Sequence, residues 1–175
     1  MTIYTFTSKK ILANMTTRLL VLLILSFICC PTKGQIFDFN KIKSPVIFKG
    51  DYKFAYRDPA VIYHNNKFYL YFTLVERAVD SGMYYFTAYS ISEDLVHWTY
   101  PSIFTPRDRT LNYSSPGNII KYKDDWIICL QTYPTPNKER WGNESSRIWI
   151  MRSKDLISWS EPEMLKVKGN DIPVS

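Results

Sequence analysis

Ser92-Glu-Asp-Leu-Val-His-Trp-Thr-Tyr-Pro101 recurs as Ser153-Lys-Asp-Leu-Ile-Ser-Trp-Ser-Glu-Pro162, an offset of 153 − 92 = 61 residues. Upstream of each copy, Asp58-Pro59 and Ser115-Pro116 each precede a hydrophobic run, and their prolines are 116 − 59 = 57 residues apart. One module of about 60 residues is therefore present twice. In each copy the Ser and Asp are suited to bond the backbone of a tight turn. We expect the Trp that follows to pack into the gap between modules.

Each module predicts four short strands, because β-branched and aromatic runs alternate with turn residues. The expected strands are residues 59–64, 67–74, 83–91 and 98–104 in the first module and 117–122, 125–132, 146–152 and 159–167 in the second. Beyond the N-terminal segment no stretch carries a sustained helical apolar period, so helices should be scarce. The pattern indicates an all-β fold of the β-propeller type, with blade 1 at about 52–106 and blade 2 at about 112–167.

Two blades are too few to close a propeller, which usually has about four to eight. The segment Ile42–Phe48 could supply a strand to a blade from elsewhere, and the chain stops after the second module. We therefore expect residues 35–175 to be a partial propeller, the N-terminal portion of a longer protein.

The N-terminal 34 residues indicate export. They contain four basic and no acidic residues, and Leu19–Cys30 is an apolar run of 12. A bilayer span needs roughly 20 apolar residues, so residues 1–34 are predicted to be a signal peptide, with Met15 as an alternative start. The mature protein should be secreted or periplasmic. A lipoprotein is the less favoured alternative, because Ile28 is a poor residue to precede a lipidated Cys29.

Removing this segment changes what the composition implies. The net charge of +6 falls to 18 − 16 = +2, which removes the argument for a nucleic-acid partner, and no membrane span is expected after cleavage.

Of the three cysteines only Cys129 remains in the mature sequence, where we expect it to be a small buried hydrophobe without a disulfide partner. His64 and His97 lack partners at metal-ligand spacing, and there is no phosphate-binding loop, so neither a metal nor a cofactor is predicted. The oligomeric state stays open.

Arg57-Asp58-Pro59 is the candidate catalytic stretch. The innermost strand of a propeller blade lines the axis, and Asp58 is expected where that strand starts. The adjacent Arg57 favours an ionised carboxylate, which could act as general base or stabilise an oxocarbenium-like transition state. The alternative is that Asp-Pro only starts a strand.

Tyr56-Arg-Asp-Pro-Ala-Val-Ile-Tyr-His-Asn-Asn-Lys-Phe-Tyr-Leu-Tyr-Phe-Thr73 resembles the first blade of the five-bladed propeller glycosidases, glycoside hydrolase family 43 and its relative family 32. The Ser-x-Asp-Leu-x-x-Trp motif followed by Pro is typical of the same blades. The resemblance implies that Asp58 is the general base, with a second Asp and the general-acid Glu on later blades. The second module opens with Ser114-Ser-Pro-Gly-Asn118 and offers no carboxylate there. Glu76 and Glu144 are expected in loops and exposed to solvent.

The resemblance therefore implies a glycoside hydrolase that cleaves an oligo- or polysaccharide when complete and lacks its general acid in this chain. Candidate substrate-binding residues are Tyr56, Arg57, Asn118 and Gln131. The main alternative is a non-catalytic carbohydrate-binding propeller, suggested by the missing acid in the second module. A protein-binding scaffold is a third possibility.

Overall fold

A computed structural model describes residues 37–43, 46–139, 142–167 and 173–174. The predicted signal peptide lies outside these ranges. Within them the fold is all-β, and the one helical element is a short 3₁₀ helix at Phe39–Lys41. No helix of the described residues is long and apolar enough to cross a membrane.

The strands form two antiparallel sheets that follow the order of the chain. Their bounds are β1 Phe54–His64, β2 Lys67–Arg77, β3 Met83–Ser92, β4 Ser102–Ile103, β5 Tyr113–Ser114, β6 Ile119–Tyr122, β7 Asp125–Thr132, β8 Ile148–Ser153 and β9 Glu163–Met164. The first sheet has the order β1-β2-β3-β4. In the second, β5 and β6 both pair with β7, followed by β8 and β9, so β5 and β6 are two parts of one interrupted strand. The all-β fold of two propeller-type blades is confirmed.

The predicted bounds were wrong for β1 and for the fourth strand of each module. β1 begins at Phe54, not at residue 59, because the pairing with β2 extends from Phe54 opposite Glu76. Pro59 lies inside this strand, at an irregularity in the register, where a missing N–H is tolerated. The fourth strands are also shorter than expected, with only two residues each in β4 and β9.

The main core lies between the two sheets. Strand alternation places Tyr69 and Tyr71 of β2 on the face toward the second sheet. They pack with buried residues of the second sheet and of the turn after β8: Tyr113, Ile119, Trp126, Ile128, Leu130, Met151 and Leu156. A second cluster on the opposite face of the first sheet contains Leu70, Phe72, Leu74, Phe86 and Ala88, with Phe48 packed against it.

The repeated turn has the same geometry in both copies. The Ser Oγ accepts the N–H of the Leu at 2.8 Å in the first copy and 2.9 Å in the second. The Asp Oδ1 accepts the N–H three residues further on, at 2.7 Å in each. The Trp159 ring then lies 5.7 Å from Tyr71 and 5.9 Å from Phe104, so it packs between the sheets as predicted. Trp98 packs on the opposite face of the first sheet.

Cys129 departs from its prediction, since it is half-buried. On β7 it alternates with the buried residues Ile128 and Leu130, which face the first sheet. Its side chain therefore lies on the face of the second sheet that points away from the first sheet, where side chains are more exposed to solvent.

Candidate active site

Asp58 lies in a β-bulge within β1, not at the start of the strand as the sequence suggested. Arg57 pairs with Thr73 and Ala60 pairs with Tyr71, so Asp58 and Pro59 together oppose one residue of β2. The φ of Asp58 is 53°, in the left-handed region that Asp tolerates better than most residues. A bulge of this kind redirects a side chain. Here it turns Asp58 toward the second sheet.

One oxygen of the Asp58 carboxylate is held by hydroxyl groups from both sheets. Thr73 Oγ1 donates to Asp58 Oδ2 at 2.9 Å, and Ser115 Oγ donates to the same oxygen at 3.3 Å. The backbone N–H of Ser115 donates to Thr73 Oγ1 at 2.7 Å. Thr73 is 1% exposed, whereas Asp58 is half-buried. Within the described ranges, the other oxygen, Oδ1, has no hydrogen-bond partner.

Ser115 is the counterpart of Asp58 in the second module. It also precedes a proline, and its φ is 47°. On one side of it Ser114 pairs with Gln131, and on the other the Gly117 N–H donates to the Cys129 carbonyl. Two residues, 115 and 116, therefore face a single residue of β7, as in the first sheet. The left-handed residue before proline is a repeated feature of the module. What distinguishes Asp58 is its side chain.

Arg57 is exposed and lies on the same side of the first sheet as Thr73, its partner in register. Burial raises the pKa of Tyr85, and the positive charge of Arg57 opposes that shift, so the guanidinium and the phenol are near each other. The Tyr85 ring also contacts the Tyr133 ring, with centroids 5.4 Å apart. The cation of Arg57 and the phenols of Tyr85 and Tyr133 therefore lie near one another.

Tyr56 occupies the opposite face of the first sheet. Its ring stacks on Phe48 at 5.2 Å and meets Phe72 at 5.7 Å, and burial raises the pKa of its hydroxyl. It lines a cavity of about 310 Å³. The other residues of that cavity are Val46, Ile47, Phe48, Arg57, Pro59, Leu70 and Phe72. Tyr56 is therefore separated from the hydroxyls that hold Asp58.

The remaining two candidates belong to the second sheet. Asn118 is exposed in the segment that interrupts the strand between β5 and β6. Gln131 is half-buried on β7. It corresponds to Thr73 of the first sheet, because Thr73 pairs with the residue before Asp58 and Gln131 pairs with the residue before Ser115. Their roles as sugar contacts stay predictions.

The other carboxylates at this end of the first sheet are paired with cations. Glu76, expected in a loop, lies in β2 and meets Arg107 at 3.3 Å. Arg109 binds Asp80 through two bonds of 2.8 and 2.6 Å and thereby holds the pKa of Asp80 well below its usual range. The Asp80 carboxyl group is therefore not suited to donate a proton at neutral pH.

Sequence reasoning missed Thr73 and Ser115. The alignment of Pro59 with Pro116 was a signal for Ser115, because it makes Ser115 the equivalent of Asp58 in the second module. Thr73 gave no such signal, since a threonine in a hydrophobic strand is ordinary. In the part of the chain that the structure describes, no group of three or more His, Cys, Asp or Glu side chains is arranged to hold a metal ion.

No protein-family model matches this chain, and no curated protein matches it. Among solved structures, a protein of unknown function from Dyadobacter fermentans matches with a TM-score of 0.53 at 17% identity, over 73% of this chain and 43% of that one. An N-acetylgalactosamine deacetylase from F. plautii, in complex with blood group B trisaccharide, matches with a TM-score of 0.52 at 15% identity, over 80% and 44%. The family 32 β-fructofuranosidase of Bombyx mori matches with a TM-score of 0.45 at 16% identity, over 63% and 23%.

This chain spans less than half the length of each of these structures. At such identities the likeness establishes the fold. The chain has an all-β fold of the propeller type.

Proposed function

We propose that this chain is part of a glycoside hydrolase in which Asp58 is the general base. The observation that carries the proposal is the half-buried Asp58 carboxylate, with Oδ2 bound by two hydroxyls and Oδ1 free of protein partners in the described ranges. In hydrolysis, Oδ1 takes a proton from a water molecule as that water attacks the anomeric carbon. The departing sugar oxygen takes a proton from a general acid.

The general acid is proposed to lie on a further blade. Glu76 and Asp80 are engaged with arginines, and Ser115 occupies the matching position of the second module. The outer face of the second sheet exposes apolar side chains, with Ile120 53% and Tyr122 56% exposed. Such a face suits a third sheet, packed as the second packs on the first. We therefore propose that these residues are the first two blades of a larger exported propeller.

The proposed substrate is an oligo- or polysaccharide. Arg57 offers guanidinium donors beside Asp58, and the phenols of Tyr85 and Tyr133 provide aromatic surface and hydroxyl groups nearby. Asn118 and Gln131 are proposed to contribute amide groups from the second sheet. Tyr56 is proposed to act through the cavity on the other face of β1.

A non-catalytic carbohydrate-binding propeller is the second candidate. The observation that favours it is Ser115, which places a hydroxyl where the first module has a carboxylate. A ring of hydroxyl and amide groups around an axis binds sugars without cleaving them.

The two candidates are separated by Asp58→Asn in the full-length protein, assayed for sugar release from a panel of plant and host oligosaccharides. We expect kcat to fall by about 10²- to 10⁴-fold with the unfolding midpoint unchanged. Asp124→Asn, in an exposed turn, is the matched control and should retain activity. Undiminished turnover in Asp58→Asn would overturn the assignment. Binding of oligosaccharides by a wild-type protein that releases no sugar would support the second candidate.

A further inference from the structure

The hydrogen bonds around Asp58 have only one consistent direction. The N–H of Ser115 can only donate, so Thr73 Oγ1 is the acceptor of the 2.7 Å bond between them. The single hydroxyl proton of Thr73 is then available for Asp58 Oδ2, at 2.9 Å. The backbone of the second sheet thereby sets the orientation of a hydroxyl on the first.

Ser115 also contributes its own hydroxyl to the same oxygen. Its Oγ lies 3.3 Å from Asp58 Oδ2, so two donors converge on one carboxylate oxygen. Each carboxylate oxygen has about two lone-pair sites. Two hydroxyl donors therefore fill Oδ2, and the other oxygen is left to accept a proton.

The bulge makes this arrangement possible. In a regular strand Asp58 would share a face with Tyr56, on the side of Phe48 and Phe72. The additional residue in β1 brings its carboxylate to the face of Thr73 instead. The same backbone conformation at Ser115 presents that residue toward Asp58 from the second sheet.

We propose that Thr73 and Ser115 are the positioning residues of Asp58: they hold Oδ2 and reserve Oδ1 for the proton transfer. The inference rests on the proposed role of Asp58 as base. It concerns the geometry of the carboxylate, however, so it is testable without turnover. It also makes the orientation of the base dependent on the contact between the two sheets.

The test is a ¹³C NMR spectrum, at one fixed neutral pH, of the complete chain labelled at the aspartate carboxyl carbons, with Asp58→Asn identifying the resonance of Asp58. Hydroxyl groups that donate to a carboxylate form strong hydrogen bonds, and losing one changes the surroundings of the carboxyl carbon. In Thr73→Val the Asp58 resonance should therefore move from its wild-type chemical shift, and Thr73→Ser should restore it. Ser115→Ala should give a smaller displacement, because its bond is longer.

Thr87→Val is the matched control. Thr87 is fully buried on the neighbouring strand, and its hydroxyl donates to the Tyr113 carbonyl at 3.3 Å across the same contact between sheets. This variant loses a comparable bond between the sheets that does not involve Asp58, so its Asp58 chemical shift should match wild type. An Asp58 chemical shift that is unchanged in both Thr73→Val and Ser115→Ala, or displaced equally by Thr87→Val, would overturn the proposal.

The outcomes separate this inference from the proposed function. If Asp58→Asn retains turnover while Thr73→Val displaces the Asp58 chemical shift, Asp58 is positioned as described but is not the base. In an active protein, Thr73→Val should lower kcat by about tenfold with little change in KM. If Thr73→Val fails to fold, the comparison of Ser115→Ala with Thr87→Val decides the question, because Ser115 is only half-buried.

Discussion

The connection between the two sheets depends on Asn112, and Asn112→Ala should be among the most damaging single substitutions. Asn112 is 0% exposed, with a φ of 51°. Its Oδ1 accepts the N–H of Tyr85 at 3.1 Å. Its Nδ2 donates to the Tyr133 carbonyl at 3.1 Å and to Thr135 Oγ1 at 2.8 Å. One amide thus joins β3 to the segment that follows β7.

The size of the loss follows from these contacts. Alanine leaves the buried Tyr85 N–H without an acceptor, which costs about 1–3 kcal/mol. The left-handed conformation adds about 1–2 kcal/mol for a residue without a side chain that bonds locally. With the two donated bonds also lost, we expect the free energy of unfolding to fall by about 3–5 kcal/mol. That is a large part of the roughly 5–15 kcal/mol typical of folded domains.

Equilibrium unfolding in urea, followed by tryptophan fluorescence, measures this loss. Asn65→Ala is the control for the backbone effect alone, because Asn65 is exposed in the turn between β1 and β2 with a φ of 48°. It should cost about 1 kcal/mol. Asn112→Gly should recover about the same amount relative to Asn112→Ala. If Asn112→Ala costs no more than Asn65→Ala, the buried amide does not join the sheets as argued.

Two further predictions concern the repeated turn. Trp159→Ala should lower the free energy of unfolding by about 3–5 kcal/mol, and by more than Trp98→Ala. The reason is that the Trp159 ring, unlike that of Trp98, contacts both Tyr71 and Phe104 across the sheets. Urea unfolding of both variants measures the two losses, and equal losses would contradict the prediction. The N–H groups of Ser158 and Ile157 lower the pKa of Asp155 to about 2, so its stabilising effect is complete above the unfolded value near 3.9 and is lost as pH falls toward 2. The urea midpoint should therefore drop between about pH 4 and 2, and less steeply in Asp155→Asn; parallel curves for the two proteins would refute this.

The repeat made most of the fold predictable. Strands β2, β3 and β7 follow alternating or continuous apolar runs, and their predicted bounds lie within three residues of those observed. The start of β1 was missed because Pro59 was read as a boundary. A proline does end a regular strand in many contexts, but a bulge accommodates it. Sequence patterns give no direct sign of a bulge, since it depends on the register with the partner strand.

The site was less predictable than the fold. The motif made Asp58 a candidate, but its hydrogen-bond partners lie on a neighbouring strand and on the other sheet, at sequence separations of 15 and 57 residues. Tyr56, two residues from Asp58, is a candidate substrate-binding residue and lies on the opposite face of the first sheet. Adjacency in sequence is a poor guide here, because alternation and the bulge together decide which face each side chain takes.

The comparison of positions 58 and 115 limits what backbone strain implies about function. A left-handed non-glycine residue before proline would, taken alone, point to an active site. The same conformation occurs at Ser115, where no carboxylate is present, so the strain serves the architecture of both sheets. It turns one side chain per sheet toward the same place, and the bond between Ser115 and Asp58 shows that neighbouring sheets bring these side chains into contact. In a larger propeller, each further sheet with this feature would add one more side chain to the group. The chemistry of the site is then decided by which residue each sheet carries at this one position, and Asp58, with Oδ1 free of protein partners in the described ranges, is the member equipped to accept a proton.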